Sequence, residues 1–139
     1  MSKRATGSAT IVVVDDEPIA LEFCRSTLVR AGYNVLTASS GEQALNHFKS
    51  YRSPIDLALI DIVMPGMSGV ALVKRLDKLK VGTRIVLMSG YSPDEVKRIV
   101  ADDASSYRSM WKPFEAATLV QTVKNVLDTP LQMKAARGA

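Results

Sequence analysis

Four apolar runs in this chain each stop on a polar residue. IVVV (11–14) ends at Asp15 and Asp16, LALI (57–60) at Asp61, IVLM (85–88) at Ser89 and SMW (109–111) at Lys112. Short runs without polar alternation, several of them β-branched, are the pattern of strands buried on both faces. A weaker strand is predicted around Val35 to Ala38, and the last one from roughly Tyr107 to Trp111. Between the runs the apolar spacing changes to three and four. Ala20, Cys24, Leu28 and Ala31 form one row, and Ala44, Leu45 and Phe48 a second. Val70, Val73, Leu76 and Leu79 follow, then Leu119, Val120, Val123 and Leu127. Pro18 suits a first helical turn and Gly32 a helix stop. Ser40 with Gln43, and Ser92 with Pro93 and Glu95, read as capping boxes. The helix opened by Ser92 is short, to about Ala101, and the last runs from about Glu115 to Leu127, with Pro130 ending it. IVMPGMSG (62–69) is a loop by its Pro and Gly content.

Five alternating strand–helix units predict an α/β fold with a parallel sheet covered on both faces. Right-handed crossovers make this a doubly wound, five-stranded, three-layer sandwich, in which ligands sit beyond the carboxyl ends of the strands. Asp15, Asp16, Asp61, Ser89 and Lys112 all follow strands, so the fold brings them to one rim.

Composition narrows the setting. A chain of 139 residues with 47% apolar and 23% charged positions is an ordinary one-domain globule. No apolar stretch approaches the roughly 20 residues that span a bilayer, and the N-terminus has no apolar core of a secretory signal. One cysteine, Cys24, permits no internal disulfide, so a cytoplasmic protein is expected. The net charge of +4 comes from the ends: residues 11–128 hold fourteen Lys and Arg against fourteen Asp and Glu, and Lys3, Arg4, Lys134 and Arg137 make up the excess. Nucleic-acid binding by this chain alone is not expected without a clustered basic face.

Three carboxylates on a shared rim repel unless a hard cation or an ammonium compensates. Mg²⁺ fits, because it takes oxygen ligands and shares phosphate oxygens. Lys112 adds a compact positive charge that can pair with Asp61 or a phosphoryl oxygen. The segments VVVDDEP, LALIDIVMPGMSG, IVLMSGY and WKPF, in this order and spacing, resemble the receiver domain of two-component response regulators over about residues 10–128. The resemblance implies a (βα)5 flavodoxin-like sandwich with Asp61 as phosphoacceptor. It implies Mg²⁺ on Asp16, Asp61 and the Val63 carbonyl with Asp15 assisting through water, and Ser89 and Lys112 as phosphoryl ligands. Gly90 would leave space for the incoming group, and Pro113 would follow a cis peptide bond. Val63 and Tyr91 would border the site and tune access of water.

The implied partners are a histidine kinase or histidine phosphotransfer protein and a downstream output protein. A homodimer through the fourth helix, last strand and last helix is also implied. Such a chain is not an enzyme on other substrates but supports its own phosphorylation and slow dephosphorylation. The expected layout is an N-terminal extension (1–9), the receiver (10–128) and a C-terminal tail or linker (129–139). The alternatives are an interaction module that signals without phosphorylation, and a relay intermediate from a hybrid kinase or larger regulator. One position departs from the family: the usual aromatic three residues before the lysine is Ser109 here. Tyr107 has the same strand parity two residues further back.

Other residues read more plainly. His47 has no His or Cys companion and is expected on the surface or partly packed. Cys24 falls on an apolar stripe as an inert core residue. Met64, Met67, Met88 and Met110 are expected in core or rim packing, and the charges from Lys74 to Lys80 on a solvated helix face. A haloacid-dehalogenase-like phosphatase would need Asp-x-Asp after the first strand, where the aspartates here are adjacent. A nucleotide binder would need a Gly- or hydroxyl-rich loop where this chain has DDEP.

Overall fold

The computed structural model of this chain describes residues 9–99 and 107–129. The elements are β1 (Thr10–Val14), α1 (Pro18–Arg30), β2 (Asn34–Ala38), α2 (Gly41–Ser50) and β3 (Leu57–Asp61). They continue with α3 (Gly69–Leu79), β4 (Arg84–Ser89), α4 (Pro93–Ile99), β5 (Arg108–Trp111) and α5 (Ala116–Asp128). All strand pairs are parallel, in the order β2-β1-β3-β4-β5.

Alternation along the strands divides the core. Val12, Val14, Ala58, Ile60, Ile85 and Leu87 face one side of the sheet, where Ala44 and Leu45 of α2, Leu72, Val73 and Leu76 of α3 and Val96 of α4 cover them. Ile11, Val13, Leu57, Leu59, Val86, Met88 and Met110 face the other, against Cys24 and Leu28 of α1 and Leu119 and Val123 of α5. The central strands are apolar on both faces because both faces are covered. The chain leaves β1 outward to β2 and returns to β3, so the order reverses between β1 and β3. In open α/β sheets such a reversal is where ligands sit, beyond the carboxyl ends of the strands.

The predicted helices and strands are all present, with shifted edges. β2 starts one residue early, at Asn34, while Tyr107 forms a bend before β5. α1 stops at Arg30, so Ala31 is its C-cap rather than part of the stripe. α5 spans Ala116–Asp128. Leu79 is 52% exposed, beyond the packed row that ends at Leu76. The proposed end of α4 at Ala101, Pro130, and the terminal stretches 1–8 and 130–139 lie outside the described residues.

Candidate functional site

The site starts with the last residue of β3. Asp61 is nearly buried, at 7% exposure, in the middle of the sheet beside β1 and β4. Its Oδ1 accepts from the Val63 N–H at 3.2 Å and its Oδ2 from the Lys112 ammonium at 3.1 Å. Asp15, directly after β1, is fully buried. Its Oδ1 accepts from the Glu17 N–H at 2.9 Å and its Oδ2 from the same ammonium at 2.8 Å. Asp16 is exposed, yet each of Asp15, Asp16 and Asp61 offers an oxygen within 4.8 Å of the others.

Lys112 reaches these carboxylates from β5, the far edge strand. Its own N–H donates to the Ser89 carbonyl at 2.7 Å, continuing the ladder one residue past β5. The Lys112–Pro113 peptide is cis. Phe114 then lies 6.2 Å from Phe23 of α1, ring centre to ring centre, joining the turn after Lys112 to the helix after Asp15 and Asp16. The pairing of Lys112 with Asp15 as well as Asp61 goes beyond the sequence expectation. It makes one ammonium the counter-ion of two carboxylates.

Electrostatics follow from burial and crowding. Burial pushes the Asp61 carboxyl above the ordinary aspartate value; the Lys112 charge opposes this and the Asp15 charge adds to it. Burial alone pulls Lys112 down, but its hydrogen bond to Asp15 and the charges of Asp61 and Asp15 outweigh that and hold it above the usual lysine range. The oxygen-only donors, their closeness and the strained ionisation of Asp61 fit a hard divalent cation such as Mg²⁺.

The remaining predicted residues fall around this centre. Ser89, at the end of β4, is 1% exposed, and its Oγ accepts from the Tyr91 N–H at 2.8 Å. Gly90 is exposed, with open space where a side chain would stand. Val63 and Tyr91 are both exposed large side chains, at 54% and 43%. Ser109 is half-buried beside Leu87, and half-buried Tyr107 packs on the cluster shared with α4. Trp111 is 57% exposed and in register with Ser89. Away from the site, the His47 ring Nε2 lies 2.8 Å from the Thr37 carbonyl oxygen. Cys24 is buried, its thiol pushed up to about 12 by burial and the Asp15 charge.

Two supporting features escaped the sequence reading. Ser68 is the N-cap of α3, its Oγ accepting from the Ala71 N–H at 3.1 Å. A hydroxyl residue just before an apolar row is the signal that marks it. The close approach of Gly69 to the Asp61 backbone has no comparable sequence signature.

A doubly wound sheet with an acidic cluster and a lysine at its switch point defines a class of receiver-like α/β signalling domains. The chain matches the response regulator receiver domain over residues 11–124. It belongs to that family, the receiver domain of two-component signal transduction. It is 36% identical over 118 residues to the response regulator GtcR of Aneurinibacillus migulanus, covering 82% of this chain and 47% of that protein. It is 33% identical over 123 residues to the sensor kinase CckA of Brucella abortus (strain 2308), covering 88% of this chain and 13% of that protein. The chain thus spans about half, or less, of these curated relatives. Among solved structures, the chemotaxis protein CheY4 of Vibrio cholerae superposes with a TM-score of 0.76 at 29% identity, covering 86% of this chain and 99% of that one. The response regulator TrrA of Thermotoga maritima, solved in complex with Mg²⁺ and BeF, gives 0.73 at 34% identity, with 85% and 98% covered. Among the described residues no helix is long and apolar enough to cross a membrane.

Proposed function

We propose that this chain is a phosphorylatable receiver, with Asp61 taking a phosphoryl group from a phosphohistidine of a histidine kinase or histidine phosphotransfer protein. The Asp61 carboxylate attacks phosphorus, the new P–O bond forms as the P–N bond breaks, and the imidazole leaves. The observation that carries this reading is the position of Asp61: a nearly buried carboxylate at the end of the central strand, with one ammonium and two further carboxylates around it. Phosphoryl transfer asks a protein chiefly for positioning and charge neutralisation.

Asp15, Asp16, Asp61 and the Val63 carbonyl would hold Mg²⁺, which when bound neutralises charge on the phosphoryl oxygens. Lys112 supplies the second positive charge, and Ser89 donates its hydroxyl to a phosphoryl oxygen. Gly90 leaves room, and Val63 with Tyr91 screens the acyl phosphate from water. The chain acts on no other substrate and only supports its own phosphorylation and slow loss of the group. Phosphorylation biases a two-state equilibrium. The output is association with a downstream protein, homodimerisation through α4, β5 and α5, or relay to another histidine. Likeness to both a response regulator and a sensor kinase supports a place in such a relay. Tyr107 and Ser109 stand where the switch would be read out. The receiver unit is residues 10–128, flanked by extensions 1–9 and 129–139, and works in the cytoplasm.

Incubation with Mg²⁺ and acetyl phosphate, followed by intact-mass measurement, tests the reading. One phosphoryl adduct is expected on the wild type and none on Asp61→Asn. An unlabelled wild type would turn the reading to an interaction module that signals without phosphorylation.

A further inference from the structure

We propose that Gly41 and Gly69 are positioning residues for Asp61, with Gly41 acting from α2 through Met67 and the loop between β3 and α3. The phosphoryl readout of this inference rests on the function proposed above.

The loop that follows Asp61 is held at its base. The Gly69 N–H donates to the Ile62 carbonyl at 2.9 Å, closing residues 62–69 on themselves. A Cβ at Gly69 would collide with the Asp61 carbonyl oxygen and stand 2.8 Å from the Asp61 carbonyl carbon and from Ile62 Cα. These are backbone atoms of the phosphoacceptor strand and cannot swing aside. α3 can therefore approach this closely only with glycine in that place.

The far side of the same loop rests on α2. Gly41 is the buried first residue of that helix, directly after the N-cap Ser40, whose Oγ accepts from the Gln43 N–H at 3.1 Å. A Cβ at Gly41 would stand 2.6 Å from the Met67 Sδ and 3.0 Å from its Cβ and Cγ. Met67 thus lies directly on the capped helix start. Displacing it moves a loop whose Val63 N–H donates to the Asp61 carboxylate. Helix propensity would favour alanine over glycine at position 41, and the three atoms nearest an added Cβ all belong to Met67, so the loss expected in Gly41→Ala is assigned to Met67.

Gly41 offers a test that Gly69 does not, because its obstacle is a removable side chain. Gly41→Ala, Met67→Ala and the double variant are compared in two measurements. One is the rate of Asp61 labelling by acetyl phosphate at fixed Mg²⁺; the other is the Val63 amide resonance. Gly41→Ala is expected to label about tenfold to a hundredfold more slowly, the scale of a small misplacement of reacting groups. Its Val63 amide should shift, and the double variant should return to the behaviour of Met67→Ala. Wild-type labelling by Gly41→Ala, or a double variant in which the two losses simply add, overturns the inference. If the wild type itself does not label, the proposed function fails. The Val63 amide then decides alone: a shift reversed in the double variant upholds the positioning, and an unmoved amide overturns it. Should Gly41→Ala fail to fold, recovery of folded protein in the double variant upholds the contact, and an unfolded double variant overturns it.

Discussion

Asp61 and Lys112 share an ion pair but load the fold in opposite directions. Asp61 holds its proton more tightly in the fold than in the unfolded chain, first because it is buried. Its ionisation therefore opposes folding. The stability contributed by its protonated form is present below the ordinary aspartate value of 3.8 and is lost as pH rises through the raised folded value. Asp61→Asn should melt above the wild type at pH 7, with the gap closing as pH falls toward 3.8. Lys112 is the reverse case. Its charge is favoured in the fold, and the stability it gives is present below 10.5 and lost as pH rises through the folded value. Lys112→Ala would strand the fully buried Asp15 without its cation, and should destabilise by about 3 kcal/mol. Urea unfolding of both variants checks the pair of signs; a Lys112→Ala protein as stable as wild type would contradict the assignment. At this scale the sequence showed which residue types meet, because each ends an apolar run. It did not show that Lys112 would bind Asp15, since a contact across 97 positions is set by strand order and not by local pattern.

Helix starts show what local pattern does and does not reveal. Ser92 and Glu95 form the reciprocal pair predicted for α4, with Ser92 N–H to Glu95 Oε1 at 2.8 Å and Glu95 N–H to Ser92 Oγ at 3.3 Å. At α2 the cap on Ser40 is made, but the Gln43 side-chain Oε1 accepts from the Ser39 N–H at 2.6 Å, one residue before the N-cap. The cap of α3 was hidden because Pro65 and Gly66 marked the whole segment to Gly69 as loop, while Ser68 already caps the helix that starts at Gly69. Ser68→Ala should lower stability by about 1 kcal/mol, seen as a lower denaturant midpoint with unchanged slope. An unchanged midpoint would mean the hydroxyl is not needed there. The central strands were legible because two covered faces demand continuous apolar runs. The edge strands β2 and β5 were blurred because, among the described residues, one side of each has no strand neighbour, and partly exposed positions weaken the pattern.

At the scale of the molecule, the order β2-β1-β3-β4-β5 turns five scattered polar positions into a site. The alternation of strands and helices announced a doubly wound sheet, but no local feature says which strands are neighbours. That order is a property of how all the helices pack. Because the site exists only when β1 and β3 lie side by side, the unfolded chain has no equivalent set of carboxylates. A cation that binds it therefore stabilises the native state by mass action, by about 2.7 kcal/mol at a hundredfold excess over its dissociation constant. Mg²⁺ should raise the melting temperature, EDTA should restore the starting value, and emission from Trp111, exposed and adjacent to Lys112, should follow the same saturation curve. Asp61→Asn loses one charged ligand and should respond much less. Without metal this variant is expected to melt higher than the wild type, so adding Mg²⁺ should narrow the gap and, near saturation, reverse it. Parallel responses of the two proteins to Mg²⁺ would show that any bound cation lies away from Asp61, and would remove the metal from the proposed phosphoryl-transfer site.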